Sequence, residues 1–544
     1  MESATRAMGR RASPQARTEP ETERRRFVRR TLRCSARLRP LDGDRKDTAL
    51  LAEAVDISEG GMLLELAPGA ALPGRRMLVE FRLPARTLDN ADEWLVRIPA
   101  RRVRTDTGYN GGSSRLALEF EGELRRALRR PRRRWCAASG LLLAGAALVL
   151  ITLLKLEAVD TFWYRVAFGV YGFVVTGYIL SRFLIAAFYR PPRFVGHRPS
   201  VSVVVAAKNE ERAIADTLEA IFASDYPRDR LEVIAVDDGS TDGTHREMTR
   251  VAERHPELAV VRFAANRGKR HAMAAGARRA SGEILVYVDS DSMLERDTLE
   301  RLVQGFADPD VGAVCAHGYV ANAWTNTLTR MQGLQYYIAF RVLKAAESVF
   351  SSVTCCSGCC AAYRRTAVLD VLDDWLCQRF LGQAATFGDD RSLTNRMLRR
   401  YRVIYDETAR VSTIAPDTFR QYFRQQLRWK KSWLRENLIA ATFMWKRPPV
   451  MALSFYVGFV FPLLAPLVVG RAVLYLPLLH GRTNHYYFLG IFLVSLVYGA
   501  YYLARQRTRL WLYSPLLCFF FALVLSWQLP WAIATSWNNK WGTR

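Results

Sequence analysis

Asp289 and Asp291 stand two residues apart, directly after the apolar run Ile284–Val288. Carboxylate oxygens are hard ligands, and two in this spacing at a strand end can meet one divalent cation. In an open α/β sheet the ligand crevice lies at the carboxyl ends of the strands, where this pair falls. An isolated Asp-x-Asp is also ordinary turn chemistry, so its neighbours carry the argument. Val236-Asp237-Asp238-Gly239-Ser240 closes a second apolar run, and Lys208-Asn209-Glu210 closes a third. Three such turns on one edge make a nucleotide pocket that includes Asn209, Glu210, Asp237 and Asp238. Lys269 and Arg270 follow a glycine and can neutralise phosphate charge there.

Phe387-Gly388-Asp389-Asp390-Arg391 supplies a second acidic pair. An attacking hydroxyl must lose a proton, and a carboxylate beside it can accept one, which makes Asp390, with Asp389 beside it, the candidate base. The same residues also suit the start of a helix through Ser392–Arg399. Gln425-Gln426-Leu427-Arg428-Trp429 lies on an amphipathic stretch. Its Trp429 offers a flat face for a sugar ring, Arg428 a partner for pyrophosphate, and Gln425 hydrogen bonds for hydroxyls. Interfacial anchoring accounts for Trp433 and Trp445 but not for that cluster by itself.

The elements that must position these residues follow from the periodicity. Val201–Val205, Leu231–Val236 and Ile284–Val288 read as strands, with helical patterns over 210–223 and 243–255, so 199–415 is a parallel α/β domain. Residues 416–447 form basic, Trp-rich interface helices. Apolar stretches at 135–156 and 162–189 are long enough to cross a bilayer and form a hairpin, and further ones lie within 450–535. The basic runs Arg125–Arg134 and Arg505–Arg509 mark cytoplasmic flanks. Residues 1–21 read as a disordered basic arm without a signal peptide, and 22–128 as a small β-barrel of short alternating strands. The fold class is a multi-domain membrane protein: small β-barrel, α/β catalytic domain and α-helical transmembrane segments.

The 544-residue chain has a formal net charge of +26 with half its residues hydrophobic. That combination suits basic loops facing an anionic leaflet, and no recognition motif points to nucleic acid as a partner. Cys356 and Cys359 have Cys-x-x-Cys spacing, but no second pair follows at metal-site distance, so the cluster reads as small packing residues.

Taken together, Gly268–Ala272, Val288–Asp291, Thr325–Arg330, Cys356-Ser357-Gly358, Phe387–Arg396, Gln425–Trp429 and Trp541-Gly542-Thr543-Arg544 resemble family 2 processive glycosyltransferases, hyaluronan synthases in particular. The resemblance covers about 199–544. It implies a GT-A domain on a membrane channel in a bacterial inner membrane, with a UDP-sugar donor (UDP-GlcNAc, alone or alternating with UDP-GlcA) and a growing polysaccharide as acceptor. Asp237 or Asp238 then contacts uridine, Lys269 the nucleotide or donor, Asp289 and Asp291 serve Mg²⁺ or Mn²⁺, and Asp390 is the general base. Gln425, Arg428 and Trp429 hold diphosphate and acceptor, and Trp541 and Arg544, in a gating tail at 536–544, close the donor site. A tail on the cytoplasmic side requires one late apolar stretch not to span, and 510–535 is the expected one. The family's Pro after Cys-Ser-Gly is replaced here by Cys359. Chitin-oligosaccharide synthases share most of these motifs, so the product stays open.

The N-terminal segment is similar to a PilZ domain. Arg25 and Arg29 match its Arg-x-x-x-Arg motif, and Asp56-Ile57-Ser58-Glu59-Gly60-Gly61 matches its Asp/Asn-x-Ser-x-x-Gly, with Arg26 and Arg30 as an alternative register. The implied ligand is cyclic di-GMP, gripped by two arginines with Asp56, Ser58 and Gly61 at a barrel loop. Two other readings remain: a transferase acting once on a lipid phosphate, and a cyclic di-GMP receptor with an inactive catalytic domain. The first has no use for Gln425–Trp429, and the second has no reason to keep Asp238, Asp289, Asp291 and Asp390.

Overall fold

The computed structural model describes residues 30–41, 50–58, 61–67, 75–83, 94–109, 113–121 and 166–537. Arg25, Arg29, Trp541, Arg544 and the apolar stretch 135–156 lie outside the described residues. The chain divides into two units, Met1–Arg132 and Arg133–Arg544.

In the first unit, β1 (Arg30–Pro40), β2 (Leu50–Ile57), β3 (Gly61–Leu66), β4 (Arg76–Leu83), β5 (Trp94–Tyr109) and β6 (Ser113–Phe120) close into a barrel in the order β1-β2-β3-β6-β5-β4. The alternating pattern dictates this: Met62, Leu64 and Leu66 of β3 point inward between half-exposed neighbours. They meet Ile57, Val79, Phe81, Ile98, Leu116 and Phe120 in one core, and closure leaves no free sheet edge. The small β-barrel expected from the alternating runs is therefore present.

The second unit is built on an eight-stranded sheet. Its strands are β7 (Val201–Ala207), β8 (Leu231–Asp237), β9 (Leu258–Arg262), β10 (Ile284–Asp289), β11 (Ser292–Leu294), β12 (Val311–Val320), β13 (Cys360–Arg364) and β16 (Arg402–Thr413). The order is β11-β16-β12-β13-β10-β7-β8-β9, and a two-residue hairpin, β14 (Arg379–Phe380) with β15 (Gln383–Ala384), stands outside it. Strands β10, β7, β8 and β9 run parallel, whereas β13 is antiparallel to both of its neighbours. Every residue of β7 is buried, as expected of a parallel strand covered on both faces. Helix Lys269–Arg279 packs tightly on β7: a Cβ at Gly276 would lie 2.3 Å from Val204 Cγ1.

Among the described residues, four helical segments are long and apolar enough to cross a bilayer: Gly169–Ala186, Pro449–His480, His485–Gln506 and Arg509–Ala534. The second carries Pro462 and Pro466 and relaxes into a π-turn at Arg471–Tyr475. The fourth is broken into 3₁₀ turns at Arg509–Tyr513 and Leu525–Trp527 and short helices at Ser514–Leu523 and Gln528–Ala534. Its last helix packs back on the long amphipathic helix Phe419–Ala441, where Lys430 Nζ donates to Gln528 Oε1 at 3.1 Å.

Candidate active site

The three acidic turns share one edge of the sheet. Parallel register sets Ala207 of β7 against Asp237 of β8, and Ala206 against Asp289 of β10. The turns after β7 and β8 are stitched together: Asn209 Oδ1 accepts from Thr241 N at 3.0 Å, and Thr244 Oγ1 accepts from Glu210 N at 2.7 Å. Asn209 holds a left-handed backbone at φ 55°, which Asn tolerates better than most residues.

The two neighbouring aspartates have different partners. Asp237 is fully buried, accepts from Ser240 N at 2.9 Å and lies 3.5 Å from Arg262 Nε. Asp238 accepts from Arg267 N at 2.7 Å and Gly268 N at 2.9 Å, so it holds the loop that starts the helix of Lys269. Burial raises the Asp238 carboxyl above the usual range, and those two amide bonds only partly offset it. Lys269 pairs with Asp289. Burial alone would lower its ammonium, but the field of Asp289, with Asp389 and Asp390 beyond it, holds it up at about 12. Asp291 accepts from Thr413 Oγ1 at 3.4 Å, and Thr217 Oγ1 donates to Ser290 O at 2.9 Å, so the acidic turn is braced on both sides.

Arg270 corrects an expectation. Instead of facing a phosphate at the open edge, its guanidinium is 3% exposed and donates to Asp389 Oδ1 at 2.8 Å, Trp375 O at 2.9 Å and Gln378 Oε1 at 3.0 Å. Asp389 is correspondingly 5% exposed and committed to that pair. The next residue, Asp390, faces the cleft: its Oδ2 lies 3.5 Å from Cys355 Sγ, and its Oδ1 accepts from Arg391 N at 2.7 Å. A carboxylate already satisfied by a buried arginine is a poor proton acceptor, and Asp389 is in that position whereas Asp390 is not paired with Arg270.

One loop bridges the two acidic centres. Cys360 of β13 pairs with Val288 of β10, so the loop before β13 passes the end of β10. A Cβ at Gly358 would lie 2.9 Å from Asp289 Oδ2, while Cys355 touches Asp390. Cys356 N donates to Thr394 Oγ1 at 2.9 Å, and that hydroxyl donates to Asp390 O at 2.6 Å, tying the loop to the helix Asp389–Leu398. The sequence motif Cys356-Ser357-Gly358 gave no hint of this contact with Asp390. Cys356, Cys359 and Cys360 are buried among the core residues.

Helix Phe419–Ala441 carries the remaining candidates. Trp429 is 38% exposed and lies 6.4 Å, ring to ring, from Tyr336, leaving a face open. Gln425 Oε1 is buried without a hydrogen-bond partner, and Arg428 is half-buried on the same segment. Beside this helix, among the membrane segments, is a cavity of about 1090 Å³. It is mostly apolar, with Gln335, Tyr487 and Tyr498 in its wall, and its charged lining is Lys430, Arg471 and Arg482.

Asp289, Asp291, Lys269, Asp390 and the Cys355–Gly358 loop therefore form one cleft. Among the described residues no group of three or more His, Cys, Asp and Glu could hold a metal without help. Two carboxylates at a strand end fit a cation that takes its other ligands from a diphosphate and water. In the first unit, Asp56, Ser58 and Gly61 share one end of the barrel: Gly61 O accepts from Ser58 N at 2.8 Å and from Ser58 Oγ at 3.2 Å. A Cβ at Gly61 would lie 2.2 Å from Leu118 O, so the position excludes any other residue. β1 starts at Arg30, paired with Ile57 beside this end.

The profile of the family 2 glycosyl transferases matches residues 202–372, and that of the PilZ domain matches residues 23–138. A hyaluronan synthase from Streptococcus pyogenes is 30% identical over 383 residues, which cover 69% of this chain and 90% of that protein. An N-acetylglucosaminyltransferase from Rhizobium meliloti (strain 1021) is 35% identical over 297 residues, 53% of this chain and 69% of that protein. A solved mannosyltransferase from Pyrobaculum calidifontis, in complex with GDP-Man and Mn²⁺, matches 73% of this chain and 99% of its own with a TM-score of 0.46 at 24% identity. With its acidic strand ends on one cleft and its length aligned to nearly all of the streptococcal enzyme, the chain belongs to the family 2 glycosyltransferases, among the hyaluronan-synthase-like members, and carries a PilZ domain.

Proposed function

We propose that this protein polymerises and exports a β-linked polysaccharide from UDP-sugars as an inverting transferase. The observation that carries the reading is the single loop, Cys355–Gly358, touching Asp289 on one side and Asp390 on the other. A diphosphate at Asp289 and a hydroxyl at Asp390 are then brought face to face, the arrangement one displacement at the anomeric carbon needs.

In this reading Asp289 and Asp291 hold Mg²⁺ or Mn²⁺, which neutralises the leaving diphosphate. Lys269, already paired with Asp289, turns to the phosphate oxygens when the donor enters. Asp238 keeps the Lys269 loop in place beside the uridine. Asp390 takes the proton of the acceptor hydroxyl. Trp429 stacks the acceptor sugar, and the unpartnered Gln425 Oε1 accepts one of its hydroxyls. The cavity beside Lys430 continues this path into the membrane segments and supports export of the chain.

That cavity also favours one product class. Its charged lining is Lys430, Arg471 and Arg482, with no Asp or Glu among the described residues that line it. A basic lining favours an acidic polymer, built from alternating UDP-GlcNAc and UDP-GlcA, over a neutral chitin-like one. The protein works in a bacterial inner membrane with both soluble domains in the cytoplasm. The PilZ domain binds cyclic di-GMP through Arg25, Arg29, Asp56, Ser58 and Gly61 and turns the transferase on. The test is UDP release by purified protein with Mg²⁺ or Mn²⁺, given each UDP-sugar alone and both together, with and without cyclic di-GMP. Polymer made only with both donors supports the acidic product. Dinucleotide binding with no UDP release from any donor supports a receptor instead.

A further inference from the structure

A buried charge network lies behind Asp390. Arg270, Asp389, Gln378, Arg435 and Glu436 are each at most 8% exposed. Arg270 pairs with Asp389 at 2.8 Å and Arg435 with Glu436 at 2.8 Å. Gln378 joins the pairs: its Oε1 accepts from Arg270 at 3.0 Å, and its Nε2 donates to Glu436 Oε1 at 2.9 Å. Glu436 also accepts from Asn395 Nδ2, at 3.1 Å, on the helix that starts with the acidic pair. Ion pairs buried this deeply cost desolvation and are seldom the most stable filling for a core.

What the network grips is the loop before Asp390. Asp389 is held from one side by Arg270, and Phe387 O accepts from Arg435 Nη2 on the other. Between them Gly388 sits at φ 77°, with Ser432 of helix Phe419–Ala441 filling the space where a Cβ would stand, 1.9 Å from its Oγ. Three successive residues are thus fixed and Asp390 is the fourth. Two of the three grips, Ser432 and Arg435, come from the helix that carries Trp429. Arg428, Ser432 and Arg435 follow the i, i+4, i+7 spacing of one helix face.

We infer that Arg435, Glu436 and Gln378 are positioning residues that make the alignment of Asp390 depend on the seating of helix Phe419–Ala441. The acceptor-holding helix and the base then move as one body, so the base is aligned when an acceptor is seated. This rests on the reading of Asp390 as base and of Gln425–Trp429 as acceptor site.

The test uses the full-length protein. UDP release is measured as kcat and KM for the donor that the wild type turns over, with kcat normalised to protein able to bind UDP. Normalisation removes any loss from misfolded molecules. Arg435→Met and Glu436→Gln are expected to lower kcat about tenfold or more with KM within about twofold, and Arg435→Lys to recover part of it by keeping one donor for Phe387 O. Normalised kcat within about twofold of wild type overturns the proposal. Where a charge-removing variant binds no UDP, Gln378→Met decides by the same criterion, because it cuts the bridge and leaves both ion pairs whole. Asp390→Asn runs alongside. Wild-type turnover in that variant removes the base reading itself. An inactive Asp390→Asn beside a fully active Gln378→Met and Arg435→Met removes only the positioning role.

Discussion

The turn after β8 and the loop before Asp390 hold their aspartates by different means. In the first, Asp237 takes an amide three residues on and Asp238 takes amides 29 and 30 residues on. These are backbone groups of neighbouring turns on one parallel sheet. In the second, Asp389 is held by an arginine 119 residues away and Phe387 O by one 48 residues away. Backbone contacts survive most substitutions, whereas a loop held by side chains is only as sound as each partner. The turn after β8 should therefore be tolerant and the loop before Asp390 brittle.

The sharpest contrast is between adjacent residues. Asp390→Asn should lower turnover by about 10²–10⁴-fold while leaving thermal stability near wild type. Asp389→Asn should instead strip a buried arginine of its partner and cost about 3–5 kcal/mol, read as a lower unfolding midpoint. Equal turnover loss with equal stability in both variants would erase the distinction between them.

Gly388→Ala comes next. It forces a left-handed backbone on an L side chain and drives a methyl into Ser432, so both stability and turnover should fall. Gly388→Ala with Ser432→Gly relieves the clash but not the φ strain. Partial recovery of turnover in the double variant checks that the helix face sets the loop.

At the turn after β8 a smaller effect is expected. Asp238→Ala leaves the amide of Arg267 without its acceptor, at about 1–3 kcal/mol, and reduces Gly268 N to its bond with Asn266 Oδ1, which loosens the start of the Lys269 helix. Donor KM should rise more than kcat falls, the opposite of Arg435→Met. The smallest effect belongs to Lys430, whose ammonium burial lowers to about 8. Between about pH 8 and 10 the unfolded chain then binds this proton more strongly than the folded one, so stability rises with pH across that window. Lys430→Met should flatten that slope and raise the midpoint most at neutral pH, read by thermal unfolding at several pH values.

Much of the acidic edge was legible because its signal is local. An apolar run ending in Asp, Gly or Asn announces both a strand and its turn, and three such runs imply one shared edge. The barrel was legible for the same reason, since the alternation in Met62-Leu63-Leu64-Glu65-Leu66 fixes which face is inward. The antiparallel half of the sheet was not. β13 is a short run of Cys, Ala, Ala, Tyr and Arg with no alternation, and β12 is buried through nearly its whole length. The expectation for Arg270 failed because an arginine beside a lysine after a glycine looks the same whether it faces solvent or core.

Residue types and their order determined the chemistry: carboxylates at strand ends, a second acidic pair, an aromatic-basic helix and apolar segments of membrane length. Those follow from side-chain chemistry and periodicity, which are written along the chain. Only the tertiary structure decided which carboxylate of the second acidic pair is committed to a buried arginine. Asp389 and Asp390 are chemically identical in sequence, and Arg270, Gln378, Arg435 and Glu436 tell them apart through contacts that span up to 119 residues. The depth of a charge and the partner that meets it depend on how separate elements pack, which no local pattern records.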